Sequence, residues 1–491
     1  MSRSSRNAPV QDALVIGAGP NGLAAAIACA GAGLRVTVYE GEATIGGGTR
    51  TAAVTLPGFR HDLGSSVYPF GAGSPYFRAL PIERYGLEWV QPRHPLAHPL
   101  DDGGAVMLER SLDATVAMAG EDGRVYDRLL RPLVRNWGPL AADVLAPVHW
   151  PANPWMLARF GVSAARSAGA LSRQFRTARM RAVIAGLAAH SAESLDTALT
   201  SAFALLLAAS AHAVGWPFAR GGAQSIADAL AGCLRERGGE FRTGHHVHAL
   251  RELPPAGLTM CDVAPENLAV LANDRLPPAF LRRLRRFRRS AGVFKIDWAL
   301  DGPIPWRAEE CCDAGTVHVG GSFEEIAESE LAARQGRLAE RPFVILTQPS
   351  VCDPSRAPAG SHVAWGYCHV PLGSTADITT AVERQVERFA PGFRDRVLAR
   401  HVMTPADLFR SNPNLIDGEI TGGAFRLSQS LMRPTWRGHR TPRRDLYICS
   451  ASTPPGAGVH GMCGYWAARA ALHDHDLSLQ TTDRLVDWAI E

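Results

Sequence analysis

An apolar run, Ala13 to Ile16, leads directly into Gly17-Ala-Gly-Pro-Asn-Gly22 and then into the alanine-rich stretch Leu23 to Ala30. This order predicts a strand, a glycine turn and a helix, and each glycine has its own task. Gly17 lets the chain turn sharply out of the strand, and Gly19 lets backbone approach a diphosphate. Gly22 removes a side chain where the helix presses on the sheet. The free N–H groups at the helix start then face an anionic ligand. With 48 glycines in 491 residues the spacing alone is weak, but the next segment strengthens it. Leu34 to Tyr39 is rich in β-branched residues and ends in Glu40, eighteen residues beyond Gly22. A carboxylate about 20 residues past such a turn accepts hydrogen bonds from a ribose hydroxyl. A Rossmann-type α/β unit is therefore the starting point.

At 491 residues the chain is too long for one compact core and suggests at least two domains. Its 46% hydrophobic and 20% charged residues exclude a disordered chain, and a net charge of +4 gives no reason to expect nucleic acid. Nine cysteines without C-x-x-C or zinc-ligand spacing fit a reducing compartment, so a cytoplasmic location is expected. Residues 1–11, polar and basic, read as a flexible tail. The uncharged stretch Thr197 to Gly215 is alanine-rich and reads as a buried helix rather than a membrane span. Peripheral membrane association stays open.

Gly46 and Gly47, in a run of three glycines, would let backbone lie against a cofactor, with Arg50 near a phosphate or the far side of its ring system. His61 and Asp62 are adjacent in a short strand, point to opposite faces and cannot form a simple dyad. Between Ser66 and Gly215 the strand–helix rhythm stops, and Ala170 to Leu187 and Ala192 to Ala213 read as helices. Trp137, Trp150 and Trp155 read as core or cavity residues. A helix then runs from about Gly222 to Arg237 and ends at Gly238. Phe241 to Leu250 is a strand candidate carrying His245, His246 and His248; no acidic residue or cysteine completes a metal set, so no metal is expected. Pro277 to Arg289 reads as an amphipathic helix with Phe280, Leu281, Leu284 and Phe287 on one stripe and arginines opposite, a solvated face with attraction to anionic lipid or an acidic partner as the alternative.

Gly292 to Leu300 reads as a strand with Lys295 and Asp297 on one face and Phe294, Ile296 and Trp298 on the other. Lys295 there either guards a sheet edge or projects into a cavity. Near the end of the chain, Asp445 to Ser450 is a strand followed by a second glycine-rich crossing. Gly456, Gly458, Gly461 and Gly464 give access to N–H groups at another helix start. Two such starts at opposite ends of the chain suit a dinucleotide better than a mononucleotide.

On these segments the chain resembles the FAD-dependent superfamily that includes phytoene desaturases, carotenoid isomerases, retinol saturases and flavin amine oxidases. It is most similar to the branch called pyridine nucleotide-disulfide oxidoreductase domain-containing protein 2. The likeness is carried by Ile16 to Gly22, Glu40 with Gly46-Gly47, Trp216 to Gly222, Phe294 to Leu300 and Ser452 to Gly461. It implies an α/β fold in which a Rossmann-like FAD-binding domain, 12–65, 216–275 and 436–491, is interleaved with an α+β substrate domain, 66–215 and 276–435. It implies noncovalent FAD, with Val247 on the adenine side and Gly461 and Met462 at the flavin end. Lys295 resembles the lysine that amine oxidases bridge through water to flavin N5, and His460 is a second catalytic candidate as proton donor or polar contact.

The activity expected from this resemblance is hydride transfer between a small apolar, isoprenoid- or lipid-like substrate and flavin N5, with the electron acceptor left open. An amine or amino-acid oxidase, a redox-neutral isomerase and an interaction protein stabilised by FAD are the alternatives. A homodimer also stays open.

Overall fold

The structure, a computed structural model, describes residues 12–151 and 153–479. The tail expected over residues 1–11 and the last part of the expected cofactor segment, 480–491, lie outside the described residues. Five parallel strands form one sheet in the order Leu446–Ile448, Leu258–Cys261, Asp12–Ile16, Arg35–Tyr39, Glu240–Arg242. Parallel strands need cover on both faces, which explains why these short segments are almost continuously apolar. Helices Pro20–Gly31, Gln224–Glu236 and Met462–Asp474 pack on one face, and Pro265–Leu271 and Pro278–Arg285 on the other. The small residues of the first helix let Met462–Asp474 approach very closely. A Cβ on Gly464 would fall 1.8 Å from the Asn21 carbonyl oxygen.

The second sheet has seven strands in the order Val397–Met403, Gly292–Leu300, His362–Val370, Val344–Thr347, Ala314–Val319, His94–Pro99, Ala105–Leu108. All pairings are antiparallel except that of Ala314–Val319 with His94–Pro99. Phe294, Ile296, Trp298 and Leu300 enter one core with Val344, Leu346 and Phe389, while Lys295 and Asp297 face the other side. The Gly292–Leu300 strand is paired on both sides, so Lys295 is not an edge guard. Thr200–Ala213 is a largely buried helix, and no helix among the described residues is long and apolar enough to cross a membrane.

Several local expectations are corrected. The helix expected over Ala170 to Leu187 is two helices, Ala168–Ser172 and Ala178–Ala189. The buried Asp122 carboxylate takes the Arg176 and Thr177 N–H groups at 2.7 and 2.9 Å, which holds the break open. The next helix starts at Thr200 rather than Ala192. The strand expected over Phe241 to Leu250 stops at Arg242 because Gly244, at φ +65°, turns the chain away. Trp137 is buried, but Trp150 and Trp155 are 87% and 88% exposed and line no core.

Candidate active site

A cleft of about 400 Å³ opens at the carboxyl ends of the parallel strands, where Ile16, Tyr39, Cys261 and Ile448 hand over to loops. Open α/β sheets bind ligands at this position. Gly17, at φ +96°, makes the turn, and a Cβ on Gly22 would lie 2.0 Å from the Gly17 carbonyl oxygen. The second glycine loop leans on the first: Gly46 N–H donates to the Ala18 carbonyl at 2.9 Å, and a Cβ on Gly47 would fall 3.1 Å from the Gly19 Cα. Glu40 lies at the rim, its carboxylate accepting from Ala18 N–H at 2.8 Å and Glu42 N–H at 3.0 Å. Arg50 donates from Nε to the Gly47 carbonyl at 3.2 Å and pairs with Glu42 at 3.2 Å. Gly17, Gly19, Glu40, Gly47, Arg50 and Val247 all line the cleft, together with His245, His246 and His248.

Three contributors were not foreseen. Asp262, at the end of Leu258–Cys261, accepts from Gly22 N–H at 2.8 Å and sits where a Cβ on Gly19 would meet it at 2.9 Å. Burial, with Glu40 adding repulsion, pushes its carboxyl up to about 7 although the Gly22 N–H pulls the other way. Ser411 to Leu415 cross over from the chain between the two sheets' strands and close one wall, and Ser450 to Ser452 close another. Asp262-Val-Ala-Pro265, an acid at a strand end before a proline-led helix, is the sequence signal that marks the first of these.

The residues fit a dinucleotide. Backbone without side chains lines the turn that a diphosphate would approach, and Glu40 is rigidly placed at the second strand. Among the described residues, the cleft-lining Asn21 Oδ1 and Ser450 Oγ are buried without a hydrogen-bond partner. Buried polar atoms in folded proteins are nearly always satisfied, so such atoms point to a polar ligand.

A second polar centre begins one residue beyond Arg50. Thr51 Oγ1 donates to Asp62 Oδ1 at 2.8 Å, and Asp62 pairs through Oδ2 with the buried Arg356 at 2.7 Å. On the opposite side of the same short strand, His61 Nδ1 lies 3.7 Å from Asp297. Lys295 Nζ donates to both Asp297 oxygens, at 2.6 and 2.5 Å, and stands 5.1 Å from the Trp365 ring centre. His401 Nδ1 completes the group at 3.4 Å from Asp297. Burial pushes the Asp297 carboxyl up, but the Lys295 ammonium and its histidine neighbours outweigh it and hold it below the usual carboxylate range. Burial holds His61 down to about 4, against the raising influence of Asp297. His61 and Asp62 thus engage different partners, as their opposite orientations require.

His460, Gly461 and Met462 are not among the cleft's lining residues. His460 is fully buried, and its Nδ1 accepts from Met462 N–H at 3.0 Å. Burial holds the imidazole down to about 4, so it is neutral. Its own carbonyl accepts from Ser74 Oγ at 2.7 Å. Gly461, at φ +69°, caps the helix in a space where a Cβ would lie 2.5 Å from the Phe77 ring.

The family model for the NAD(P)-binding Rossmann-like domain matches residues 15–80. The chain is 26% identical to the mouse (Mus musculus) pyridine nucleotide-disulfide oxidoreductase domain-containing protein 2, across 96% of this chain and 95% of that protein. It is 28% identical to the phytoene dehydrogenase of Streptomyces griseus, across 80% of this chain and 78% of the relative. The solved structure of an oxidoreductase from Methanosarcina mazei shares the fold with a TM-score of 0.63 at 17% identity, covering 94% of this chain and all of that one. With the cleft and its glycine turn, these likenesses lead to one conclusion: the chain is a Rossmann-type FAD/NAD(P)-binding oxidoreductase, distantly related to pyridine nucleotide-disulfide oxidoreductase-like and phytoene-dehydrogenase-like proteins.

Proposed function

We propose that the dinucleotide is FAD, held noncovalently, and that the reaction is hydride transfer between an apolar, isoprenoid- or lipid-like substrate and the flavin N5. The observation that carries this reading is the cleft at the ends of the parallel strands, lined by Gly17, Gly19, Glu40, Gly47 and Arg50. The buried Lys295–Asp297 centre lies near the same loop by sequence: Thr51, next to Arg50, is hydrogen-bonded to Asp62, and Asp62's chain neighbour His61 stands 3.7 Å from Asp297 on the other side of the strand. The similarity to a phytoene dehydrogenase supports the substrate class.

FAD supplies the hydride-accepting chemistry when bound; the protein supplies binding, orientation and electrostatics. Gly17, Gly19 and Gly22 would bring helix-start backbone to the diphosphate, and Glu40 would accept from a ribose hydroxyl. Gly46, Gly47 and Arg50 would lie along the cofactor. Lys295 Nζ, clamped by Asp297, would hold a water or give a polar contact to the substrate. His460 acts as a positioning residue, tying the start of the Met462–Asp474 helix to its own turn.

Oxidation of an amine is the second reading. Trp365 and Tyr367 stack at 5.7 Å and 24° next to Lys295, an aromatic pair that would flank an amine-bearing carbon. Anaerobic titration of the holoprotein with a panel of isoprenoids, other apolar lipids and amines tests both. Bleaching of the flavin by an apolar lipid supports the first reading, bleaching by amines with peroxide release in air supports the second, and bleaching by neither removes both.

A further inference from the structure

Five arginines surround a surface depression of about 470 Å³: Arg282, Arg283 and Arg286 from the Pro278–Arg285 helix and its end, Arg288 just beyond, and Arg426 from a distant loop. All are exposed, and among the described residues none forms an ion pair. Neighbouring Arg289, by contrast, is paired with Glu266 and Glu419. Leu281 and Leu284 account for the helix's packing, and Phe287 is buried just beyond it. Gathering like charges around a hollow opposes folding unless an anion settles there.

The rim supplies a second, independent observation. Met432, which lines the depression, is 43% exposed; Leu427, next to Arg426, is 60% exposed, and Trp436, two residues beyond the lining Pro434, is 69% exposed. Aliphatic and indole side chains mixed with arginine are what a bilayer's headgroup boundary accommodates. A polynucleotide would use the charges and leave the apolar rim in water. Next to Arg426, Phe425 stacks edge-on against Phe203, ring centres 4.6 Å apart.

We propose that this face docks the protein on an anionic phospholipid surface, with phosphate headgroups in the arginine depression and Trp436, Leu427 and Met432 dipping into the interface. The site is separate from the dinucleotide cleft, so docking can fail while the redox reading stands, and the reverse.

Flotation of the holoprotein with vesicles of phosphatidylcholine alone, or containing phosphatidylglycerol, tests the idea. Binding is expected on the anionic vesicles and at least tenfold weaker on neutral ones. Each basic residue near such a surface is worth about fivefold in partitioning, so R282Q/R286Q/R426Q is expected to bind roughly a hundredfold more weakly. Trp436→Ala is expected to weaken binding while leaving its salt dependence unchanged. Should the triple variant fail to fold, release of the wild type from anionic vesicles by added salt serves instead. Equal binding to neutral and anionic vesicles, undiminished binding by a folded triple variant, or salt-insensitive binding would overturn the proposal. So would binding of duplex DNA or an acidic protein through these arginines with no binding to anionic vesicles.

Discussion

Lys295 and Asp297, two residues apart on one face of a central strand, form a buried ion pair in which the ammonium donates to both carboxylate oxygens, at 2.6 and 2.5 Å. Among the described residues nothing else of opposite charge is as close to either, and both side chains are almost completely excluded from solvent. Removing one partner strands the other. Lys295→Met is expected to destabilise the protein by about 3–5 kcal/mol, and the double variant K295M/D297L to recover much of that loss. Urea unfolding of the two single variants and the double one measures the coupling; independent, additive losses would contradict it. Substrate-driven flavin reduction is expected to fall in every variant lacking Lys295.

The closest helix contact gives a second prediction. Gly464 sits where a Cβ would meet the Asn21 carbonyl oxygen at 1.8 Å, so Gly464→Ala must push the Met462–Asp474 helix off the Pro20–Gly31 helix. Overpacking of this kind costs about 1–3 kcal/mol or more. Because Asn21 lines the dinucleotide cleft, cofactor content is expected to drop with the melting temperature. Thermal unfolding followed beside flavin absorbance checks both, and a Gly464→Ala variant with full cofactor and unchanged stability would refute the packing.

Acid sensitivity follows from the buried histidines. His61, His98, His212, His439 and His460 are all held down to about 4, chiefly by burial. Between roughly pH 6.5 and 4 the unfolded chain binds protons that the folded one does not, so stability rises with pH across that window and is lost as pH falls through it. A melting temperature that declines steadily from pH 6.5 to 4 is expected; a flat profile would contradict the neutral, buried state of these rings.

Asp262 has the opposite sign. Its carboxyl is raised from 3.8 to about 7, so across that window the folded state binds a proton that the unfolded chain has released. Its contribution to stability is therefore lost as pH rises towards 7. An ionised Asp262 beside Gly19 also repels an incoming diphosphate. Cofactor affinity of the stripped protein is expected to fall as pH rises from 6 to 8 and to become flat in Asp262→Asn, whose amide oxygen can still accept from Gly22 N–H. Fluorescence titration across that range measures it.

What is legible in the sequence is what local geometry dictates. The turn at Gly17 to Gly22, Glu40 at the end of the second strand, and the two-faced pattern of Gly292–Leu300 each follow from backbone sterics or residue alternation within a few positions. Asp262 escapes such reasoning because it meets Gly22 across 240 residues, and no local pattern states that distance. His61, on a short strand paired with Thr51–Ala52, and Asp297, on the seven-stranded sheet, likewise come together only in the tertiary fold. Glycine spacing alone makes Gly464 an opener of N–H groups, whereas its conformation is ordinary helix and its use is close packing. Hydrophobicity alone puts Trp150 and Trp155 inside, yet single apolar side chains on a surface are ordinary.

The cleft between Gly19, Glu40 and Ser450 is proposed to hold FAD. Chromatography of the small molecule released from the purified, denatured protein tests it most directly, with the intact protein's visible spectrum recorded beforehand. Stoichiometric FAD, released without proteolysis, is expected, with a flavin spectrum that is lost in a Gly19→Val variant. Release of a nicotinamide dinucleotide instead, or a protein that neither carries nor takes up FAD, would contradict it.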